Sequence, residues 1–122
     1  MQDFQKLDIW QKGHELTLQI YQITTAYPNN EQFGLVNQMR RAAASIPTNI
    51  AEGCGRNSKP DFARFIDIAL GSINELHYQL VLSRDLKYLD SETFDKLVEN
   101  VVEVRRMMYG FRTSLVKPKP YN

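Results

Sequence analysis

The chain holds one cysteine, Cys54, and two histidines, His14 and His77, in 122 residues. A lone thiol excludes an internal disulfide and fits a reducing compartment. So few sulfur and imidazole ligands leave a zinc site nothing to build on, and no metal is expected. No apolar run approaches the length that spans a bilayer. The N-terminal Met1-Gln2-Asp3-Phe4-Gln5-Lys6 lacks the apolar segment of a signal peptide, so a cytoplasmic location with no membrane partner is expected. Strand-like alternation is missing, and so is any useful internal repeat. An excess of one charge is absent too. The net charge is only +1, so any electrostatic reading must rest on how charge is distributed. The balance of 43% hydrophobic and 24% charged residues is that of a soluble globular protein, read here as a single domain over residues 1–122.

What is present is helical periodicity. Residues 1–7 read as a short arm, and Asp8 as the N-cap of a first helix reaching about residue 26. Its seam is Ile9, Gly13, Leu16, Ile20, Ile23 and Tyr27. Pro28-Asn29-Asn30 breaks it, and a second helix starts near residues 31–33. Ser58 suits the N-cap of a third helix, with Pro60 in its first turn and Asp61 completing a short capping box. Phe62, Ile66, Ala69, Ile73, Leu76 and Leu80 form its seam, and it reaches about residue 87. Asp90-Ser91 opens a fourth helix to about residue 115, with Phe94, Leu97, Val101, Val104, Met108, Phe111 and Leu115 on one stripe. Pro118 and Pro120 mark a flexible tail at 116–122. Four amphipathic helices with short links predict an all-α, antiparallel up-and-down four-helix bundle.

The second helix is the organising element. Leu35, Met39, Ala42, Ala43, Ile46 and Ile50 fall on one face, and Arg41, Ser45, Thr48, Glu52 and Arg56 on the other. The small Ala42-Ala43-Ala44 run lets a neighbour approach, with the Gly71-Ser72 pair a candidate to meet it. Pro47 cannot donate to the Ala43 carbonyl, so a kink is expected there. Gly53 and Gly55 end the helix near residues 54–56.

Catalytic chemistry finds no footing. A di-iron bundle needs Glu-x-x-His on two helices, but His77 follows Glu75 by two positions and no such glutamate precedes His14. Neither Gly-x-Ser-x-Gly nor a Gly-x-x-x-x-Gly-Lys loop occurs. The chain therefore reads as a non-enzyme without cofactor. Its cations cluster: Arg40, Arg41, Arg56, Lys59 and Arg64 outnumber Glu52 and Asp61, and Arg105, Arg106, Arg112, Lys117 and Lys119 end the chain with no acid among them. Acids gather in Glu92, Asp95, Glu99 and Glu103. The cationic clusters suggest phosphate contacts, hence nucleic acid; pairing within the protein, as of Glu52 with Arg56 one turn on, is the plainer alternative. Trp10, Tyr21, Phe65, Tyr78, Leu82, Tyr88 and Tyr109 lie off the seams and suggest either a widened core or a second sticky surface, hence a homo-oligomer.

The run Arg40-Arg41-Ala42-Ala43-x-Ser45-Ile46-Pro47-x-Asn49-Ile50-Ala51-Glu52-Gly53 resembles the signature of bacterial four-helix-bundle proteins encoded in intervening sequences of 23S ribosomal RNA genes. Leu7-Asp8-Ile9-Trp10-Gln11-Lys12, Tyr27-Pro28, Phe33-Gly34-Leu35 and Ile68-Ala69-Leu70-Gly71-Ser72-x-x-Glu75-Leu76 agree with it. The accessory variability protein of diversity-generating retroelements is similar to the same family. The resemblance implies a bundle assembled into a pentameric ring. For the retroelement branch it implies a basic surface that binds nucleic acid and a reverse transcriptase. Cys54 stands where an aromatic residue is expected, and Leu70 where an arginine is frequent. The functional expectation is a homo-oligomer that binds structured RNA, such as ribosomal RNA, or DNA through Arg40, Arg41, Arg56, Lys59, Arg64, Arg105, Arg106 and Arg112, with Ser45, Pro47, Asn49, Glu52 and Gly53 as motif positions. The alternative is a protein-binding scaffold or adaptor ring.

Overall fold

The computed structural model describes residues 3–116, which form four helices and no strand: α1 (Asp8–Thr24), α2 (Leu35–Cys54), α3 (Lys59–Asp85) and α4 (Ser91–Val116). Short 3-10 turns at Phe4–Lys6 and Asn29–Glu31 precede α1 and α2. Of the tail expected at 116–122, Val116 is the last residue of α4, and residues 117–122 lie outside the described residues.

The seams read from periodicity form the core. Every seam residue named for α2 and α3 is buried, as are Ile9, Leu16, Ile20 and the α4 stripe through Met108. Contacts between neighbouring helices run in opposite sequence order. Thr17 meets Ala43 while Thr24 meets Arg40. Ser45 meets Ser72 while Met39 meets Ser83. Arg105 meets Asn74 while Arg112 meets Asp67. Asn100 of α4 reaches back to Gln19 of α1, which closes the bundle.

Several helix ends differ from expectation. Asp8 is the first helical residue of α1, not its cap; the cap position is Leu7, which has no oxygen-bearing side chain to offer. α2 begins at Leu35, because residues 29–31 take a 3-10 turn and Gly34 holds an irregular conformation. Ser58 does cap α3, its hydroxyl accepting from the Asp61 N–H at 3.2 Å, and Asp90 accepts from the Thr93 N–H at 2.7 Å ahead of α4. α3 stops at Asp85, and Lys87 turns the chain with a φ of 67°.

Two close approaches explain the middle of α2, which runs unbroken through Pro47. Proline leaves the Ala43 carbonyl without its helical donor. The Thr17 hydroxyl of α1 lies 2.9 Å from that oxygen and 3.0 Å from its own Gly13 carbonyl, so its one proton is shared between the two and a neighbouring helix partly replaces the missing donor. Gly13 makes the approach possible: a Cβ there would lie 3.2 Å from Ile46 Cγ2. At the other contact, a Cβ on Gly53 would meet Phe62 Cδ1 at 2.6 Å and Phe65 Cβ at 2.9 Å. Gly71, by contrast, is exposed and has nothing within 4 Å of such a Cβ, so it does not pack on the α2 alanines as expected. Ser72 alone makes that crossing.

Candidate nucleic-acid interface

The structure divides the eight nominated cations by what already holds them. Arg40 turns toward α1: its Nε donates to Thr24 Oγ1 at 3.0 Å, its Nη2 to the Tyr21 carbonyl at 3.2 Å, and its guanidinium stacks on the Tyr21 ring at 4.7 Å. It clamps two helices together. Arg56 and Arg64 both lie over the ring of Phe65, at 4.5 and 4.8 Å, and both face the Asp61 carboxylate, at 3.9 and 3.0 Å. Arg56 thus pairs across the α2–α3 turn and not with Glu52. Phe65 is buried beneath these cations, so it belongs to the core and not to an exposed sticky surface. Arg41, Lys59 and Arg106 are exposed and make no ion pair among the described residues.

Motif positions Ser45 and Asn49 are tied into the α2–α3 contact. Asn49 Nδ2 donates to the Ser45 carbonyl and Oγ at 2.8 and 2.9 Å, and Ser45 Oγ sits 2.7 Å from Ser72 Oγ. Ser72 Oγ donates onward to the Ile68 carbonyl at 3.3 Å, which makes Ser45 the donor of the pair. The face expected to be uniformly polar is therefore split. Arg41 and Ser45 line a groove with α3, while Thr48 and Glu52 line one with Phe4 and Trp10.

The clearest concentration of groups suited to an anionic, aromatic ligand lies on α4. Tyr109 is 51% exposed. Helical spacing places Arg105, Arg106 and Arg112 within one turn of it, and α4 carries no acid after Glu103. α3 fixes two of these arginines. Arg105 Nη1 donates to Asn74 Oδ1 at 3.1 Å and lies 3.1 Å from His77 Nδ1. Arg112 forms a two-point contact with Asp67, Nη2 reaching Oδ2 at 3.1 Å and Nε reaching Oδ1. That bond raises the Arg112 pKa further, while burial and the Arg105 charge lower that of His77, which favours the neutral ring. Tyr78, 62% exposed, continues the surface on α3. The acids Glu92, Asp95 and Glu99 sit at the far end of α4.

Residues 5–110 match the family model described as 23S rRNA-intervening sequence protein. The chain belongs to this family. Among curated proteins none matches. A solved structure of similar fold is a protein of unknown function from the S23 ribosomal protein family of Bacteroides thetaiotaomicron. It is 24% identical, covers 86% of this chain and 95% of its own, and has a TM-score of 0.80. At that identity the likeness concerns the fold.

For this member of the 23S rRNA-intervening sequence protein family, the motif's conformational residues serve the bundle: Pro47 leaves free the carbonyl that Thr17 of α1 reaches, and Gly53 lets α3 approach α2 closely. Leu70 is buried, so it is part of the core. Burial pushes the Cys54 thiol up, away from nucleophilic chemistry. No group of three or more potential metal ligands gathers among the described residues, and none of their helices is long and apolar enough to cross a membrane. Sequence reasoning missed Thr17, whose only sign was a hydroxyl beside a seam position. It noted Tyr109 as an off-seam aromatic, but the i±3 and i−4 arginines around it were the sign of its polar company.

Proposed function

We propose that this protein is a non-enzymatic, homo-oligomeric helical bundle of the cytoplasm that binds structured RNA through the C-terminal half of α4. The observation that carries the reading is the exposed Tyr109 among Arg105, Arg106 and Arg112. Arginines neutralise phosphates and an exposed ring stacks on an unpaired base, a pairing that recurs in single-stranded nucleic-acid binding. The Asn74, His77 and Asp67 contacts hold two of the guanidiniums before a ligand arrives, which lowers the entropy cost of binding. The family's description, with its reference to 23S rRNA, supports ribosomal RNA as the first ligand to test.

Assembly into a ring, a pentamer on the resemblance, would repeat the face and sum its phosphate contacts. Exposed Leu18 of α1 and Phe33, ahead of α2, supply apolar surface for such contacts. Fluorescence anisotropy with a labelled 23S rRNA fragment tests the reading. Tyr109→Ala is expected to weaken binding about 5- to 150-fold, the equivalent of one stacked base. Binding unchanged by Tyr109→Ala combined with Arg106→Gln rules this face out. A protein-binding scaffold is the second reading. It is favoured by an apolar groove of about 420 Å³ between α1 and α2, lined by Phe4, Trp10, His14, Ala44, Pro47 and Ala51 among others.

A further inference from the structure

A second groove, of about 360 Å³, runs between α2 and α3 and is lined by Gln38, Arg41, Ala42, Ser45, Ser72 and Glu75. Its two charges stand on opposite walls, Arg41 on α2 and Glu75 on α3, and no ion pair joins them among the described residues. Between them lie a methyl group and two hydroxyls. Ser45 and Ser72 are already bonded to each other. One turn along α3 from Glu75, outside the groove lining, Gln79 is only 4% exposed; its Nε2 donates to Glu75 Oε2 at 3.3 Å, which fixes one carboxylate oxygen, while its own Oε1 has no hydrogen-bond partner among the described residues. The groove thus offers a fork of donors on one wall and a carboxylate on the other.

We infer that this groove receives a guanine base, with Arg41 on its O6/N7 edge and Glu75 on its N1/N2 edge. The assignment rests on the RNA-binding reading and deepens it. Guanine alone among the four bases carries two acceptors on one edge and two adjacent N–H donors on another. An arginine fork matches O6 and N7, and a carboxylate accepts from N1–H and the 2-amino group. Adenine sets the lone pair of N1 against the carboxylate. Cytosine and uracil each offer one donor site where guanine offers two, and neither has an N7. A base can be read this way only where it is unpaired, as in the loops and bulges that single-strand-binding proteins target. Gly71, next to Ser72 in α3, is open to solvent, and a Cβ there would meet nothing within 4 Å. An interior helical glycine is unfavourable by about 1 kcal/mol relative to alanine, and no contact within the bundle requires it.

The test is a titration of the full chain, isotopically labelled, with GMP, AMP, CMP and UMP, following the side-chain amides of Gln38 and Gln79. GMP is expected to move them with an affinity about tenfold or more above the other three, within the range of one well-formed base contact. IMP, which lacks the 2-amino group, and 7-deaza-GMP, which lacks N7, should each lose most of that preference. Arg41→Gln, at an exposed position, and Glu75→Gln, which keeps an oxygen for the Gln79 amide, should abolish it, with thermal unfolding of each variant checked against the parent. Equal responses to all four nucleotides, or shifts confined to residues outside the groove, overturn the assignment. If RNA binding still depends on Tyr109 in that case, only the guanine site falls. Selective GMP binding in a chain that binds no RNA upholds the groove and removes the α4 reading.

Discussion

One substitution, made at two glycines, should change stability in opposite directions. At Gly53 an added Cβ would lie 2.6 Å from Phe62 Cδ1 and 2.9 Å from Phe65 Cβ. The Phe62 ring can swing, but a Cβ atom moves only with its backbone, so α3 must shift away from α2. Overpacking of this kind costs about 1–3 kcal/mol, and the backbone contact puts Gly53 at the upper end. Alanine recovers about 1 kcal/mol of helix propensity, which leaves a net loss of about 2 kcal/mol. At Gly71 the Cβ meets nothing within 4 Å, so only the propensity gain of about 1 kcal/mol remains. For a chain of this size 1 kcal/mol corresponds to roughly 4 °C in Tm. Thermal unfolding at fixed protein concentration should therefore show Gly53→Ala about 8 °C below the parent and Gly71→Ala about 4 °C above it. A Gly53→Ala variant as stable as the parent refutes the claim that this glycine sets the α2–α3 distance. A destabilised Gly71→Ala means that the α3 ridge is covered in solution.

Thr17→Val should cost about 1–3 kcal/mol, because it strands the buried Ala43 carbonyl; denaturant unfolding should show Thr17→Ser close to the parent. In a Pro47→Ala background, which returns an N–H to that carbonyl, the cost of Thr17→Val should shrink, and a double-mutant cycle measures the coupling. Stability should fall as pH drops through about 6.5: the His77 pKa is lowered in the folded state, so the unfolded chain binds the proton first, and His77→Gln should flatten that part of the curve. Arg40→Gln should lower stability more than it lowers RNA affinity, since Arg40 is bound to Thr24 and Tyr21, whereas Arg106→Gln should do the reverse.

The fold was legible because burial has a period. The seams of α2 and α3 are buried at every named position, and Ser58 caps where its spacing to Asp61 says it should. Helix starts that depend on local backbone geometry were not: residues 29–34 spend a turn in 3-10 and irregular conformation before α2 can begin. The candidate site was legible only in part. Sequence gives the charge of Arg40 and Arg41 alike, yet adjacent helical positions point about 100° apart, and one arginine binds α1 while the other opens onto the α3 groove. Pairing across helices, such as Arg112 with Asp67 or Ser45 with Ser72, depends on how the helices align lengthwise, which periodicity does not fix.

The salt dependence of RNA binding tests the central claim most directly. Arg112 is neutralised by Asp67; if Arg105 and Arg106 each displace one counterion, affinity for a 23S rRNA fragment should fall about 7- to 12-fold between 50 and 200 mM salt, and removing Arg106 should flatten the slope by nearly one unit. Affinity that does not change with salt, or no binding at 50 mM, contradicts the account.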